Sequence, residues 1–269
     1  MSSGFDMLDQ LQNAVVNEKQ ENKSEEFEYD KLAMYFGEDF NYKGILISMP
    51  KIGEILSIGE GKFFNAITPF IYNSTSIRVH LWNEGKDWNK VKDIEVFYIL
   101  SKSISDSSPQ KLWFKNFSFE NLELIKYKDE EDVEKFALLD EESEVMILED
   151  DFKIIAGYIR TVLDMHPKEE FAKGRTAKEW IIQEDRLNQK MNEKSNSSTL
   201  LPLVSSCVNH PGFKYKLDDL KEVGIYQFMD SVKRIKKYES SSAALNGCYS
   251  GFVDSSKIDS KTLDYMSDI

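Results

Sequence analysis

Cysteine is nearly absent, with Cys207 and Cys248 the two in 269 residues. They form no CxxC and no Cys/His metal spacing, so the chain has neither a disulfide framework nor a zinc signature. Both fall in apolar helical patterns, which reads as reduced thiols buried as small hydrophobes. Basic charge is also short: 34 Lys and Arg stand against 47 Asp and Glu, a net charge of -13. That deficit argues against nucleic acid and anionic membranes as partners, because both are held by cations that neutralise phosphate. No run approaches the roughly 18 apolar residues of a membrane-crossing helix, and the start MSSGFDMLDQLQ lacks a signal-peptide pattern. The expected location is the cytoplasm.

Catalytic patterns are missing in turn. Gly59-Glu60-Gly61-Lys62 suggests a phosphate loop, yet Leu56 stands where its first Gly belongs and Phe63 where a magnesium-binding Ser or Thr belongs. The two glycines read instead as turn residues between helices. His80, His166 and His210 are far apart, and Cys207 three residues before His210 is a lone pair that packing explains more simply than a thiol nucleophile or half a metal site. The acidic runs at 128–134 and 148–151 lack the alternating ligands and central Gly of a calcium loop. They read as a solvated turn and a helix start. No GxSxG, HExxH or dinucleotide-binding glycine pattern occurs. The expectation is a non-enzymatic protein without cofactor or metal.

What is present is apolar bulk, 41% hydrophobic and 12% aromatic with 17 Phe and 12 Tyr, enough to bury a substantial core. The acids are spread along the chain, so an ordinary solvated surface is favoured over a dedicated acidic docking face. The pattern predicts an α+β, predominantly helical fold in three parts. Residues 1–30 read as a flexible arm, in which Phe5, Met7, Leu8, Leu11, Val15 and Val16 have helical spacing that could form on a partner. Residues 31–148 read as an α+β domain. LAMYF and YKGILISMP suggest one or two strands, Gly59 and Gly61 punctuate two short helices with Pro69 kinking or breaking the second, and DIEVFYILSKSI forms a helix. ENLELIKYK, EKFALLD and EVMIL then suggest a small antiparallel hairpin or meander.

Residues 149–269 read as a helical domain. EDDFKIIAGYIRTVLDM is the clearest mid-chain helix, with acids in its first turn. After a loop at HPKEEFAKGR, Thr176 is the expected N-cap of a helix with Glu179 at capping-box spacing. Trp180, Leu187 and Met191 mark the narrow seam this helix is expected to bury, and a partner could share it. Thr199 to His210 suggests a short buried helix and YKLDDLKEVG another. Ile225, Phe228, Met229, Val232 and Ile235 then form a strong amphipathic stripe. Its outer face carries Lys233, Arg234, Lys236 and Lys237, the second candidate partner-binding group. No aromatics interleave with them as a nucleic-acid stacking platform requires, so an acidic surface on another copy fits better than nucleic acid, and an ordinary outer helix face better still.

The stretch HPGFKYKLDDLKEVGIYQFMDSVKRIKKYE, followed by LNGCYSGFVDSSKIDSKTLDYMSDI, resembles a family encoded among the tail genes of tailed bacteriophages. The PGF turn, the F-MDSV-RI-K helix and YSGFVDSSKID carry the likeness, joined by SMPKIGEILSIGEGKFFNAITPF earlier in the chain. The resemblance implies tail morphogenesis in the host cytoplasm. Two roles follow: a tail assembly chaperone binding tape-measure or tail-tube protein, or a structural part of the tail or baseplate in the virion. Self-association is a further possibility. The resemblance brings no catalytic residue.

Overall fold

A computed structural model describes residues 15–16, 27–128, 132–140, 145–192 and 198–267. The flexible-arm reading of residues 1–30, with its helical spacing from Phe5 onward, falls largely outside them. Helices hold 54% of the described residues and strands 12%, an α+β fold that is predominantly helical.

The elements run in chain order. Val15–Val16 (β1) precedes Lys31–Tyr35 (α1), the hairpin Phe40–Tyr42 (β2) and Ile45–Ile47 (β3), Ile52–Ile58 (α2), Glu60–Ile71 (α3), Arg78–Asn83 (α4) and Asp93–Ser101 (α5). Glu123–Lys128 (β4), Glu134–Asp140 (β5) and Val145–Leu148 (β6) form an antiparallel meander, as the strand patterns predict. It leads directly into Glu149–Leu163 (α6). Phe171–Ala172 (β7) pairs antiparallel with β1, and Arg175–Asn192 (α7), Leu200–Val208 (α8), Ile225–Tyr249 (α9) and Ser260–Leu263 (α10) complete the chain.

Several expectations need correction. LAMYF is helical because the Asp30 carboxylate accepts from the N–H groups of Leu32 and Ala33 at 3.0 Å, capping a helix start that apolar content alone does not reveal. The helix α3 continues past Pro69 to Ile71, since a proline so near the end removes little of the hydrogen-bond ladder. Thr176 lies inside α7, which starts one residue earlier at Arg175. Within the loop at HPKEEFAKGR, Phe171 and Ala172 form a short strand against β1, and the helix expected at YKLDDLKEVG is only the 3-10 turn Asp219–Glu222.

The main core is aromatic. Phe70 lies 4.9 Å from Phe97, 5.0 Å from Phe119 and 5.2 Å from Phe114, ring centre to ring centre, and Phe152 of α6 lies 5.0 Å from Phe97. Each such contact adds about 0.5–1.5 kcal/mol beyond the burial of area. The cluster draws on residues from Met34 to Val232, so α6 and α9 share one core with the N-terminal helices and the meander. Ile225, Phe228 and Val232 are the buried stripe of α9, as its periodicity requires.

A smaller satellite core gathers Ile77, Leu81, Trp88, Val96, Ala172, Ala177 and Ile182. The helix α5 belongs to both, since Ile94 and Phe97 enter the main core while Val96 enters the satellite. Polar groups fasten these junctions. Arg160 of α6 donates to the carbonyls of Phe70 at 3.0 Å and Tyr72 at 3.1 Å, and pairs with Asp93 at 2.8 Å. One guanidinium thus satisfies the open carbonyl end of α3 and an acid at the start of α5.

Candidate binding surface

The two groups of candidate residues take different positions in the fold. On α7, Trp180, Leu187 and Met191 lie within about 40° of one another at 100° per residue. All three are exposed, at 59%, 63% and 77%. The seam is therefore not the face that α7 buries. The buried side holds Ala177 and Ile182, and with them Asp185, which accepts from both Arg78 nitrogens Nε and Nη2. Arg78 also pairs with Glu170 at 2.5 Å, and Lys178 pairs with Asp87 at 2.6 Å. These charges turn the helix so that its two isoleucines meet the satellite core. Its largest apolar side chains are left facing outward. An exposed row of apolar side chains of this kind, here interrupted by Glu184, is a feature of partner-binding helices.

The α9 cations are instead largely engaged within the chain. Lys233 pairs with Asp164 at 2.6 Å, Arg234 donates to the Ser267 carbonyl at 3.0 Å, and Lys237 to the same carbonyl at 3.1 Å. Lys236 is exposed and acts electrostatically on Cys207. A cleft of about 680 Å³ runs between Phe27–Lys31, the end of α6 and the first turns of α9, walled by Tyr29, Tyr226 and Met229. Burial, then the Asp230 charge, pushes the Tyr226 hydroxyl above its ordinary pKa. Lys233 and Arg234 edge this cleft, facing Asp164 and Asp230. Opposed charges already neutralise one another there.

Several of the groups weighed for chemistry have structural surroundings that explain them. Burial raises the Cys207 thiol, and the nearby Lys236 charge only partly offsets this, so the thiolate that a nucleophile needs is disfavoured. Yet α8 as a whole is not the buried helix its composition suggests, because Cys207 is its buried residue and Leu201 is 65% exposed. His210 accepts from the Gly212 N–H at Nδ1 and faces Glu239 at 2.9 Å. Glu60, inside the phosphate-loop look-alike, has a task that sequence reasoning missed. Its carboxylate accepts from the N–H groups of Thr199 at 2.6 Å and Leu200 at 2.8 Å, capping α8 from α3. No sequence spacing links positions so far apart. Gly59, with φ of +96°, is the joint between α2 and α3, as its turn reading requires, whereas Gly61 lies inside the first turn of α3 and is not a turn residue. Among the described residues, no group of three or more His, Cys, Asp or Glu side chains is arranged to hold a metal ion, and no helix is long and apolar enough to cross a membrane.

Comparison with known families adds a setting. Residues 190–269 match the model of a family described as the YomV second domain, a phage-derived family. The match begins in the last turn of α7 and spans α8, α9 and α10. It covers less than a third of the chain. No curated protein and no solved structure matches.

Proposed function

We propose that this chain is a phage protein that works by binding other proteins, as a tail assembly chaperone for tape-measure or tail-tube protein. The observation that carries the binding role is the outward stripe of Trp180, Leu187 and Met191 on α7. Its Ile182 side is fixed to the satellite core by Arg78 and Asp185, so the stripe is held in place before any partner arrives, and little ordering entropy is lost on docking. A tape-measure protein is long, helical and prone to aggregate before the tube encloses it. An apolar stripe on a chain of net charge -13 could cover such a helix while keeping the complex soluble. The phage setting draws its support from the match over residues 190–269.

Two measurements test this reading together. Co-expression with the tape-measure protein of the same phage should keep that protein soluble, and triple alanine substitution at Trp180, Leu187 and Met191 should abolish the effect. Mass spectrometry of purified virions should find this chain absent. Stoichiometric peptides in mature particles would replace the chaperone with a structural tail or baseplate component.

A further inference from the structure

The outer face of α9 is covered by the chain itself. Arg234, Lys237, Tyr238 and Ser241 follow one another at i, i+3, i+4 and i+7, on the side of the helix away from Phe228 and Val232. Over them lies the segment that includes α10. Arg234 reaches the carbonyls of Tyr265 at 3.4 Å and Ser267 at 3.0 Å, Lys237 reaches the Ser267 carbonyl at 3.1 Å and hydroxyl at 2.6 Å, and the Tyr238 and Tyr265 rings meet edge to face at 5.5 Å. On the same face Ser241 is only 2% exposed, and among the described residues its hydroxyl has no hydrogen-bond partner.

Little apolar area holds this cover down. Ile258 and Leu263 are half-buried, while Met266 is 74% exposed. Among the described residues, its polar fastening is carried by exposed Arg234 and half-buried Lys237, which donate to backbone carbonyls near its end. Its pivot, by contrast, is well made. Gly251 adopts φ of +76°, and the N–H groups of Phe252 and Val253 both donate to the Gly247 carbonyl at 3.1 Å. A Cβ at Gly247 would press on Val253 at 2.8 Å. A firm turn followed by a lightly held segment over a buried, unpaired hydroxyl has the make-up of a unit that opens by itself.

We propose that residues 255–267 form a latch over the outer face of α9, which opens independently of the core and uncovers Arg234, Lys237, Tyr238 and Ser241. This inference does not rest on the chaperone reading. The uncovered face carries Arg234 and Lys237, with Asp230 one turn before Arg234, and the small side chains of Ser241 and Ala244, which let another backbone approach closely.

The test is the reactivity of a Ser241→Cys variant of the full chain toward a maleimide, read site by site by mass spectrometry. Cys207, buried against the main core, is the internal control. Adding Arg234→Gln and Lys237→Gln should speed labelling at position 241 about tenfold, with Cys207 unchanged. An unchanged rate at 241 would overturn the latch, and so would a parallel rise at Cys207, which would mean that the core opens with it. With Ser241 kept, amide exchange over 258–267 should quicken on the Arg234→Gln and Lys237→Gln substitutions while that of α6 does not. Exchange there that stays slow in the substituted protein would likewise overturn the proposal.

Discussion

Arg78 donates through two of its guanidinium nitrogens to both carboxylate oxygens of Asp185, joining α4 to α7 across the edge of the satellite core. The Arg78 side chain is 12% exposed and that of Asp185 23%. Removing one partner leaves a largely desolvated charge without its counter-ion. Arg78→Met is expected to cost about 2–3 kcal/mol, below the range for fully buried pairs because Asp185 keeps some contact with water. Urea unfolding checks the loss. Binding through the α7 stripe should weaken as well, because the helix loses its fixed orientation.

The stripe itself should be nearly free of structural duty. Alanine at Trp180, Leu187 and Met191 is expected to leave stability within about 0.5 kcal/mol per site. Calorimetry should therefore give an almost unchanged melting temperature, with partner binding lost. A large drop in melting temperature would mean that the stripe packs within the chain and is not a docking surface.

Phe228 carries the opposite expectation. It is fully buried, in the core that α9 shares with α6 and the N-terminal helices. Phe228→Asp removes a ring from close packing and inserts a charge with no partner, at a cost of about 4 kcal/mol or more. Near-ultraviolet circular dichroism should record collapse of aromatic packing across the whole main core.

Tyr42 predicts an alkaline limit. Burial, then its hydrogen bond to Asp151 at 2.8 Å, raises the hydroxyl from 10.0 to about 12. The folded state prefers the neutral phenol, so this contribution is complete below pH 10 and is lost as pH climbs toward 12. Tyr42→Phe should flatten that part of the stability curve relative to the parent. Equal slopes for the two proteins between pH 10 and 12 would contradict the assignment.

Much of the architecture was legible because it follows local periodicity. The three meander strands, α5, α6 and the buried stripe of α9 each repeat at the spacing their geometry demands. What escaped was decided by distant partners. On α7 the large side chains pointed to one face, yet Arg78 and Asp87, remote in sequence, settled which face turned inward through Asp185 and Lys178. The short helix at 31–35 depended on one capping carboxylate. The α9 cations were legible as a patch, but their engagement with Asp164 and Ser267 exists only once the chain has folded back. The candidate surface was thus found in composition, and its outward orientation only in three dimensions.

The helix α5 has a mechanical consequence. With Phe97 on one side and Val96 on the other, it is a shared wall between the two cores. A pull on α7, as when a bound helix is drawn away, loads the satellite through Ala177 and Ile182 and reaches the wall at Val96. The satellite cannot peel off like a lid without disturbing the ring of Phe97 behind it. Force entering at the stripe is therefore borne by the aromatic centre of the molecule.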